Sequence, residues 1–176
     1  MSDTPEFSHP FDIRGITAEP VRLSANEAER AALAKRFSIV SIERLEAELS
    51  LEADGAVVTA SGRMRAAIVQ SCAVSGEDLP VTISEDITIR FVPADMLEAS
   101  EEDEEIEVDA DDLDDIAYHG TSFDLGEAVA QSLALAIDPF ATGPEAEAAR
   151  ERHGLADAGP KGPLAEALAG LKKDED

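Results

Sequence analysis

Strict alternation of apolar and polar residues predicts a strand in the middle of the chain. In "LEAELSLEAD", every second residue from Leu45 to Ala53 is apolar, and the residues between them are Glu or Ser. This period of two is typical of a strand with one buried and one exposed face. Asp54-Gly55 follows, a dipeptide favoured in two-residue hairpin turns. The pattern therefore predicts that the chain reverses direction at this point.

The next two segments continue the strand pattern. "AVVTASGRMRAAIVQSC" is predicted to return as the partner strand, with a bulge or bend at Gly62. "LPVTISEDITIRFV" alternates again and places five apolar residues on one face: Val81, Ile83, Ile87, Ile89 and Phe91. Three consecutive strands with short connections predict an antiparallel sheet that has one face in contact with water.

Two helices are predicted, one before and one after these strands. "SANEAERAALAKRF" begins with Ser24 and Glu27 at capping-box spacing and continues with good helix formers. "SFDLGEAVAQSLALAIDPF" has Asp124 and Glu127 near its start and Pro139 at its end. Its apolar residues recur every four positions: Leu125, Val129, Leu133 and Ile137. This apolar face needs a sheet against which to pack.

The order of elements predicts an α+β fold: a small antiparallel sheet or partial β-barrel with packed helices and a flexible C-terminal tail. We place a single domain at residues 1–140, with an acidic insertion at 95–115. Residues 141–176 are assigned to the tail, because much of this segment is rich in Gly, Pro and Ala. A short terminal helix is predicted within it at "GPLAEALAGLKK", residues 162–173.

Charge restricts the partners that the chain can take. The sequence has 14 Lys and Arg against 39 Asp and Glu, a formal net charge of −25. Its field attracts basic partners and opposes close approach to phosphate or to an anionic membrane. Tight direct binding to naked nucleic acid is not expected, because that affinity depends largely on cations that neutralise phosphates.

The acidity is concentrated in one segment, Asp95–Asp115, which we call the acidic run and which holds 13 acids. It lacks the spacing of an EF-hand calcium loop, since counting from Asp109 puts Leu113 at position 5 and Gly120 at position 12. Two interpretations stay open: a solvated loop that repels its own charges, or a docking strip for a basic partner. The candidate contact residues of such a strip are Glu101, Glu102, Asp103, Glu104 and Glu105. Ile106 and Val108 are candidates for a further strand.

Cys72 is the only cysteine, so no intramolecular disulfide can form. A catalytic thiol needs a base, usually His, and none of the three histidines lies in a recognisable catalytic context. A small, partly buried thiol at a strand end is the simpler interpretation. No nucleotide-binding, hydrolase or zinc motif is present, so we expect no catalytic residue, metal or cofactor.

Arg63 and Arg65 alternate along one predicted strand and therefore share a face. They are candidates for a small basic contact patch, although two exposed arginines balanced by neighbouring Glu would give the same pattern. The N-terminal sequence has no basic region followed by an apolar one, and no apolar run approaches the roughly 18 residues of a membrane span. We therefore expect a cytoplasmic protein.

Several of these features together resemble the YceD family, which is associated with accumulation of large-subunit (23S) ribosomal RNA in bacteria and plastids. They are the strand ending in Cys72, the second strand ending in Phe-Val-Pro, the acidic run, the helix "DLGEAVAQSLALAIDPF" and the closing "GPLAEALAGLKK". The resemblance covers residues 57–173. Many members have Cys-x-Arg-Cys-Leu at the strand end, whereas this chain has "CAVSG", so a role that needs two thiols is not available to it.

The resemblance implies a non-enzymatic ribosome biogenesis factor that is needed for accumulation of large-subunit ribosomal RNA. The charge adds a mechanism, in which the protein engages a basic ribosomal or ribosome-maturation protein, within an RNA-containing particle or outside it. Two alternatives stay open. One is an acidic chaperone or antagonist of a basic protein, and the other is a thiol- or metal-dependent enzyme centred on Cys72.

Overall fold

The computed structural model of the chain describes residues 5–101 and 115–154, and for residues 98–101 it describes the main chain alone. Within these ranges the chain forms seven strands, four α-helices and one 3₁₀ turn. The strands are β1 (Pro10–Asp12), β2 (Val21–Ser24), β3 (Ser41–Asp54), β4 (Val57–Ser71), β5 (Asp78–Pro93), β6 (Asp115–Tyr118) and β7 (Ser122–Asp124). The helices are α1 (Glu27–Arg36), α2 (Ala94–Glu101), α3 (Leu125–Ala136) and α4 (Ala146–Arg152), and the 3₁₀ turn is Ile13–Gly15.

Five strands form one mixed sheet in the order β2-β3-β4-β5-β6, and β1 pairs with β7 in a second, two-stranded sheet. The three long strands β3, β4 and β5 are antiparallel, as the alternation predicted, whereas β6 runs parallel to β5. A parallel pair requires a crossover connection, and here it includes α2, which follows β5 directly. The α+β class is confirmed, and the large sheet is open, not closed into a barrel.

The edge strands of the large sheet are much shorter than its central strands. β2 contacts β3 only at residues 46–49, and β6 contacts β5 only at residues 90–93. Residues 78–89 of β5 therefore have β4 on one side and, within the described part of the chain, no strand on the other. We call this segment the free edge.

The inner face of the large sheet packs against helix α3, as its apolar face required. Leu125, Val129 and Leu133 are fully buried, and Ile137, just beyond the helix, packs partly buried against the same core. The core also contains the alternating residues of the long strands. Asp124 caps α3 by accepting a hydrogen bond from Glu127 N at 3.0 Å, which confirms the predicted start of this helix.

Helices α1 and α3 are joined by a partly buried ion pair. Arg36 at the end of α1 donates two hydrogen bonds of 2.8 Å to the carboxylate of Glu127 and one of 3.1 Å to Glu6. The Arg36 guanidinium holds the pKa of Glu127 below its usual value, with the hydrogen bond as the main cause. Glu127 is therefore engaged with α1 through its side chain while its N–H completes the cap of α3.

Two local predictions were displaced by one or two residues. The capping box of α1 is formed by Asn26 and Glu29, because Ser24 is still part of strand β2. The residues of the β3–β4 turn are Gly55 and Ala56, since Asp54 pairs with Val57 as the last rung of the hairpin. Gly55 has a φ of 63°, a left-handed conformation that glycine adopts without steric cost.

The expected irregularity at Gly62 is not a bulge. Gly62 pairs in unbroken register with Leu49 and Ile87, and the register shift of the sheet lies between Ile42 and Arg44. A Cβ at Gly62 would collide with the main-chain oxygen of Glu48. The glycine is therefore required by close approach of two strands, which is the other common reason for glycine inside a strand.

Part of the segment assigned to the tail is folded onto the domain. Residues 141–154 contain α4, in which Ala146 and Ala149 are buried. The helix predicted at residues 162–173 and the strand proposed at Ile106 and Val108 lie outside the described residues.

Candidate interaction surfaces

Cys72 lies in the turn that connects β4 to β5. Its N–H donates a hydrogen bond of 2.7 Å to the carbonyl of Glu77, and its carbonyl accepts one of 3.0 Å from Gly76 N–H. Gly76 has a φ of 74°, which closes this turn in a conformation that disfavours other residues. The cysteine is buried, with 4% of its surface exposed.

The thiol sulfur accepts two main-chain hydrogen bonds. Ser75 N–H donates to Cys72 Sγ at 3.3 Å, and Gly143 N–H donates to the same sulfur at 3.4 Å. Hydrogen bonding from the side chain and main chain of Ser75, and then from the main chain of Gly143, lowers the pKa of Cys72 to about 6 against an opposing effect of desolvation. Hydrogen bonds of this kind stabilise the thiolate form.

The same turn anchors the segment between α3 and α4. Three more hydrogen bonds join the two: Ala73 N–H to the Ala141 carbonyl at 2.9 Å, Gln70 Nε2 to the Asp138 carbonyl at 2.7 Å, and Glu145 N–H to Glu77 Oε1 at 3.0 Å. Gln70 is a buried polar side chain, and this bond supplies a partner for it. Cys72 therefore lies in a junction that fastens residues 138–145 to the sheet.

The surroundings of Cys72 do not supply the other parts of a thiol active site. Its sulfur contacts two main-chain donors, and no histidine is among its hydrogen-bond partners in the described part of the chain. Residues 5–101 and 115–154 also contain no group of three or more His, Cys, Asp or Glu that could hold a metal ion. Nothing in these ranges identifies a residue that would hold a cofactor.

Arg63 and Arg65 both lie on the exposed face of β4, as their spacing predicted. Strand register places Arg63 in a row of alternating charge that crosses four strands: Arg22, Glu48, Arg63 and Asp86. Arg22 pairs with Glu48 at 3.2 Å, and Arg63 makes a two-pronged pair with Asp86 at 2.8 and 2.9 Å. The hydrogen bonds from Arg63 lower the pKa of Asp86.

Arg65 lies in the next row, between Glu46 on β3 and Ser84 on β5. No ion pair of Arg65 is found within residues 5–101 and 115–154, so it is the more available of the two arginines. A shallow cavity of about 220 Å³ lies over both rows. Since it is lined by acids as well as arginines, this surface is mixed in charge. The assignment of Arg63 and Arg65 as partner contacts stays a prediction.

The acidic run connects two elements at one end of the large sheet. Its first residues belong to α2, whose last residue is Glu101, and Asp115 begins β6. Asp115 pairs with Arg90 of β5 at 2.7 Å. Glu102, Asp103, Glu104 and Glu105 lie outside the described residues, so the docking role proposed for them also stays a prediction.

Sequence reasoning missed the partners of these residues. Asp86 and Glu48 flank Arg63 only because of strand register, and Gly143 reaches Cys72 from 71 positions along the chain. The Ser75 bond could have been expected from the short turn that ends in Gly76, since such turns direct main-chain N–H groups inward. No local signal marks Gly143.

The chain was compared with known proteins. A family model described as large ribosomal RNA subunit accumulation protein YceD matches residues 60–170, from β4 to beyond α4. This match confirms the resemblance that the motifs suggested. Searches of curated proteins and of solved structures found no match. No helix in the described ranges is long and apolar enough to cross a membrane.

Proposed function

The chain belongs to the YceD family, and from this membership we propose that it is a non-enzymatic, cytoplasmic ribosome biogenesis factor needed for accumulation of large-subunit (23S) ribosomal RNA. The match over residues 60–170 carries the proposal, because it includes most of β4, all of β5 and all of α3, the elements that build the core. The family description supplies the process.

The charge of the chain supports a protein partner more than bare RNA. A net charge of −25 repels phosphate and attracts cationic protein surfaces over distances set by the ionic strength. On the exposed face of the sheet, Arg63 is already paired with Asp86 and Arg22 with Glu48. We therefore propose that the protein binds a basic ribosomal or ribosome-maturation protein.

The surroundings of Cys72 support a non-enzymatic role. Cys72 is buried, its sulfur accepts hydrogen bonds from two main-chain N–H groups, and the bond from Gly143 helps to fasten residues 138–145. A thiol enzyme would need an accessible nucleophile beside a general base. The lowered pKa of Cys72 is the one observation that favours the thiol-dependent alternative.

Depletion of the protein tests the process. Cells that lack it should accumulate less large-subunit ribosomal RNA relative to small-subunit RNA, and the wild-type gene should restore the ratio. Normal RNA levels in depleted cells would overturn the proposal.

An affinity pull-down at low and moderate salt, with protein and RNA both identified, tests the partner. We expect a basic ribosomal or maturation protein whose capture persists after RNase treatment and weakens with salt. Capture of one basic protein unrelated to ribosomes would favour the alternative of an acidic chaperone or antagonist, which the same net charge supports.

A further inference from the structure

We infer that the free edge of β5, residues 78–89, is a strand-addition site for an extended, basic segment of a protein partner. The inference rests on the proposed function for the nature of that partner. An extended peptide that joins a sheet edge gains affinity from main-chain hydrogen bonds and specificity from its alternate side chains. In this chain the edge is long, the main-chain groups that point away from β4 can be identified, and its negative charge favours a basic peptide.

The register of β4 and β5 identifies the main-chain groups that point outward. In an antiparallel pair, residues that exchange hydrogen bonds with the partner strand alternate with residues whose N–H and C=O point away from it. The Val69 carbonyl accepts a hydrogen bond of 2.9 Å from Val40 N–H, on the β3 side of β4. Pro80, which pairs with Val69, therefore belongs to the set that points away from β4.

A second hydrogen bond, at the β4–β5 turn, gives the same result. Cys72 N–H donates to the Glu77 carbonyl at 2.7 Å, so this pair belongs to the bonded set, and the pairs of the bonded set then recur at every second position. The β4–β5 register is continuous, with Val58 opposite Phe91 and Ser71 opposite Asp78. Beyond Pro80, four residues of the free edge consequently present an N–H and a C=O outward: Thr82, Ser84, Asp86 and Thr88.

Pro80 fits this assignment. Proline has no N–H to donate, so within a sheet it is tolerated where that group would face solvent at an edge. The outward position of Pro80 costs the β4–β5 ladder no hydrogen bond. It also marks one limit of the available edge, because β5 has no N–H at Pro80 to donate to an added strand.

The two faces of the free edge offer different contacts. On the inner face, Ile83 and Ile87 are 7% and 9% exposed, and Glu85 between them is exposed. On the outer face the side chains are the exposed Thr82, Ser84, Asp86 and Thr88. The side chains of an added strand would alternate between the two faces. On the inner face they would lie beside Ile83 and Ile87, and on the outer face beside the hydroxyls and the Asp86 carboxylate.

Charge selects a basic occupant. From Asp78 to Ile89 the edge has three acids and no Lys or Arg. Charged residues and proline on an edge strand oppose pairing with another copy of the same chain, and here two copies would bring Glu85 and Asp86 against further acids. Asp86 is already paired with Arg63, so Glu85 and Asp78 are the carboxylates that attract an extended segment whose alternate residues are Lys or Arg.

The test uses the full chain and a synthetic peptide in which lysine and valine alternate. In the free protein, amide hydrogen exchange should be fast at Thr82, Ser84, Asp86 and Thr88 and slow at Ile83, Glu85 and Ile87. Addition of the peptide should slow exchange at the first four amides. A peptide in which glutamate and valine alternate should leave them fast.

Two controls separate strand addition from simple charge attraction. The lysine–valine peptide N-methylated at every main-chain nitrogen keeps its charge and loses the donors of both edges, so its binding should be at least about tenfold weaker. Ser84→Pro removes an outward N–H of the protein and should weaken binding similarly, while Ser84→Ala should bind as the wild type does. Should Ser84→Pro fail to fold, the N-methylated peptide alone decides.

The outcomes distinguish this inference from the proposed function. Equal binding of the two lysine–valine peptides, or no protection of the four outward amides, overturns strand addition and leaves the RNA phenotype of depleted cells unaffected. Protection caused by a second copy of this chain in place of the peptide also overturns it. Normal RNA levels in depleted cells overturn the proposed function, whereas the exchange result would still stand for the edge.

Discussion

Gly143 N–H donates a hydrogen bond to Cys72 Sγ at 3.4 Å, although 71 positions separate the two residues in the sequence. This bond gives the lone cysteine a structural contact in a turn where, among the described residues, no histidine is hydrogen-bonded to it. The sulfur and the neighbouring Gln70 and Ala73 together hold the segment that leads into α4. The role of Cys72 that the structure supports is therefore attachment of that segment to the sheet.

Titration of Cys72 should be coupled to stability. Its pKa is lowered from 9.0 to about 6 in the folded chain, with Ser75 as the largest cause. A depressed pKa contributes stability that is fully present above the unfolded value and is lost as pH falls through the folded value. The stability difference between wild type and Cys72→Ser should therefore grow as pH rises from about 6 to 9. Denaturant unfolding of both proteins across this range measures it, and a constant difference would contradict the lowered pKa.

Cys72→Ser should leave the cellular activity largely intact, because a serine oxygen can accept from the same main-chain donors and no histidine within residues 5–101 and 115–154 is hydrogen-bonded to the thiol. The measurement is the level of large-subunit ribosomal RNA in cells that carry the variant at equal protein level. Loss of that RNA with the variant alone would favour the thiol-dependent alternative.

Leu133→Ala should destabilise the fold by about 2–5 kcal/mol, because Leu133 is fully buried where α3 covers the sheet. Leu135→Ala on the same helix is the matched control, since Leu135 is 79% exposed and its truncation creates no cavity. Denaturant unfolding should show a lower midpoint for Leu133→Ala only. Similar midpoints for the two variants would rule out the burial of this helix face.

Gly62→Ala should destabilise the sheet by roughly 1–3 kcal/mol or more, because the added Cβ would collide with the main-chain oxygen of Glu48 and the strands must separate to accommodate it. Ser61→Ala, one position earlier on β4, is the control, as it adds no atom. Thermal unfolding of both variants provides the comparison. An unchanged melting temperature for Gly62→Ala would show that β3 and β4 do not approach so closely.

Neutralising the acidic run should slow association with a basic partner. Replacing Glu101, Glu102, Asp103, Glu104 and Glu105 by Gln or Asn removes charge that attracts a cationic surface from a distance, so the effect should be largest at low salt. The test measures, at two ionic strengths, the rates at which the wild type and the neutralised variant associate with the partner recovered in the pull-down. The variant should be as stable as the wild type or slightly more stable. Equal rates at low salt would identify the run as a solvated loop and direct attention to the surface around Arg63 and Arg65.

Periodicity was sufficient for the main elements of this fold. Alternation identified β3, β4 and β5, and the four-residue spacing from Leu125 to Ile137 identified α3 and its buried face. These patterns are readable because each element has to place its own apolar side chains on one side, whatever its neighbours are. The exact ends of the elements were less predictable: Ser24 is the last residue of β2, and the cap of α1 is therefore Asn26.

The sequence by itself determines the acidity, the single thiol and the alternation within each strand, because each of these depends only on which residues are present or on residues that are close together in the chain. The parallel pairing of β6, the free edge of β5, the pairing of Arg63 with Asp86 and the bond from Gly143 to Cys72 join residues that are distant in sequence. Strand register and the packing of α3 bring these residues together, because the apolar faces can be buried simultaneously in few arrangements. Pairings of this kind follow from that shared core and leave no trace in any short stretch of sequence.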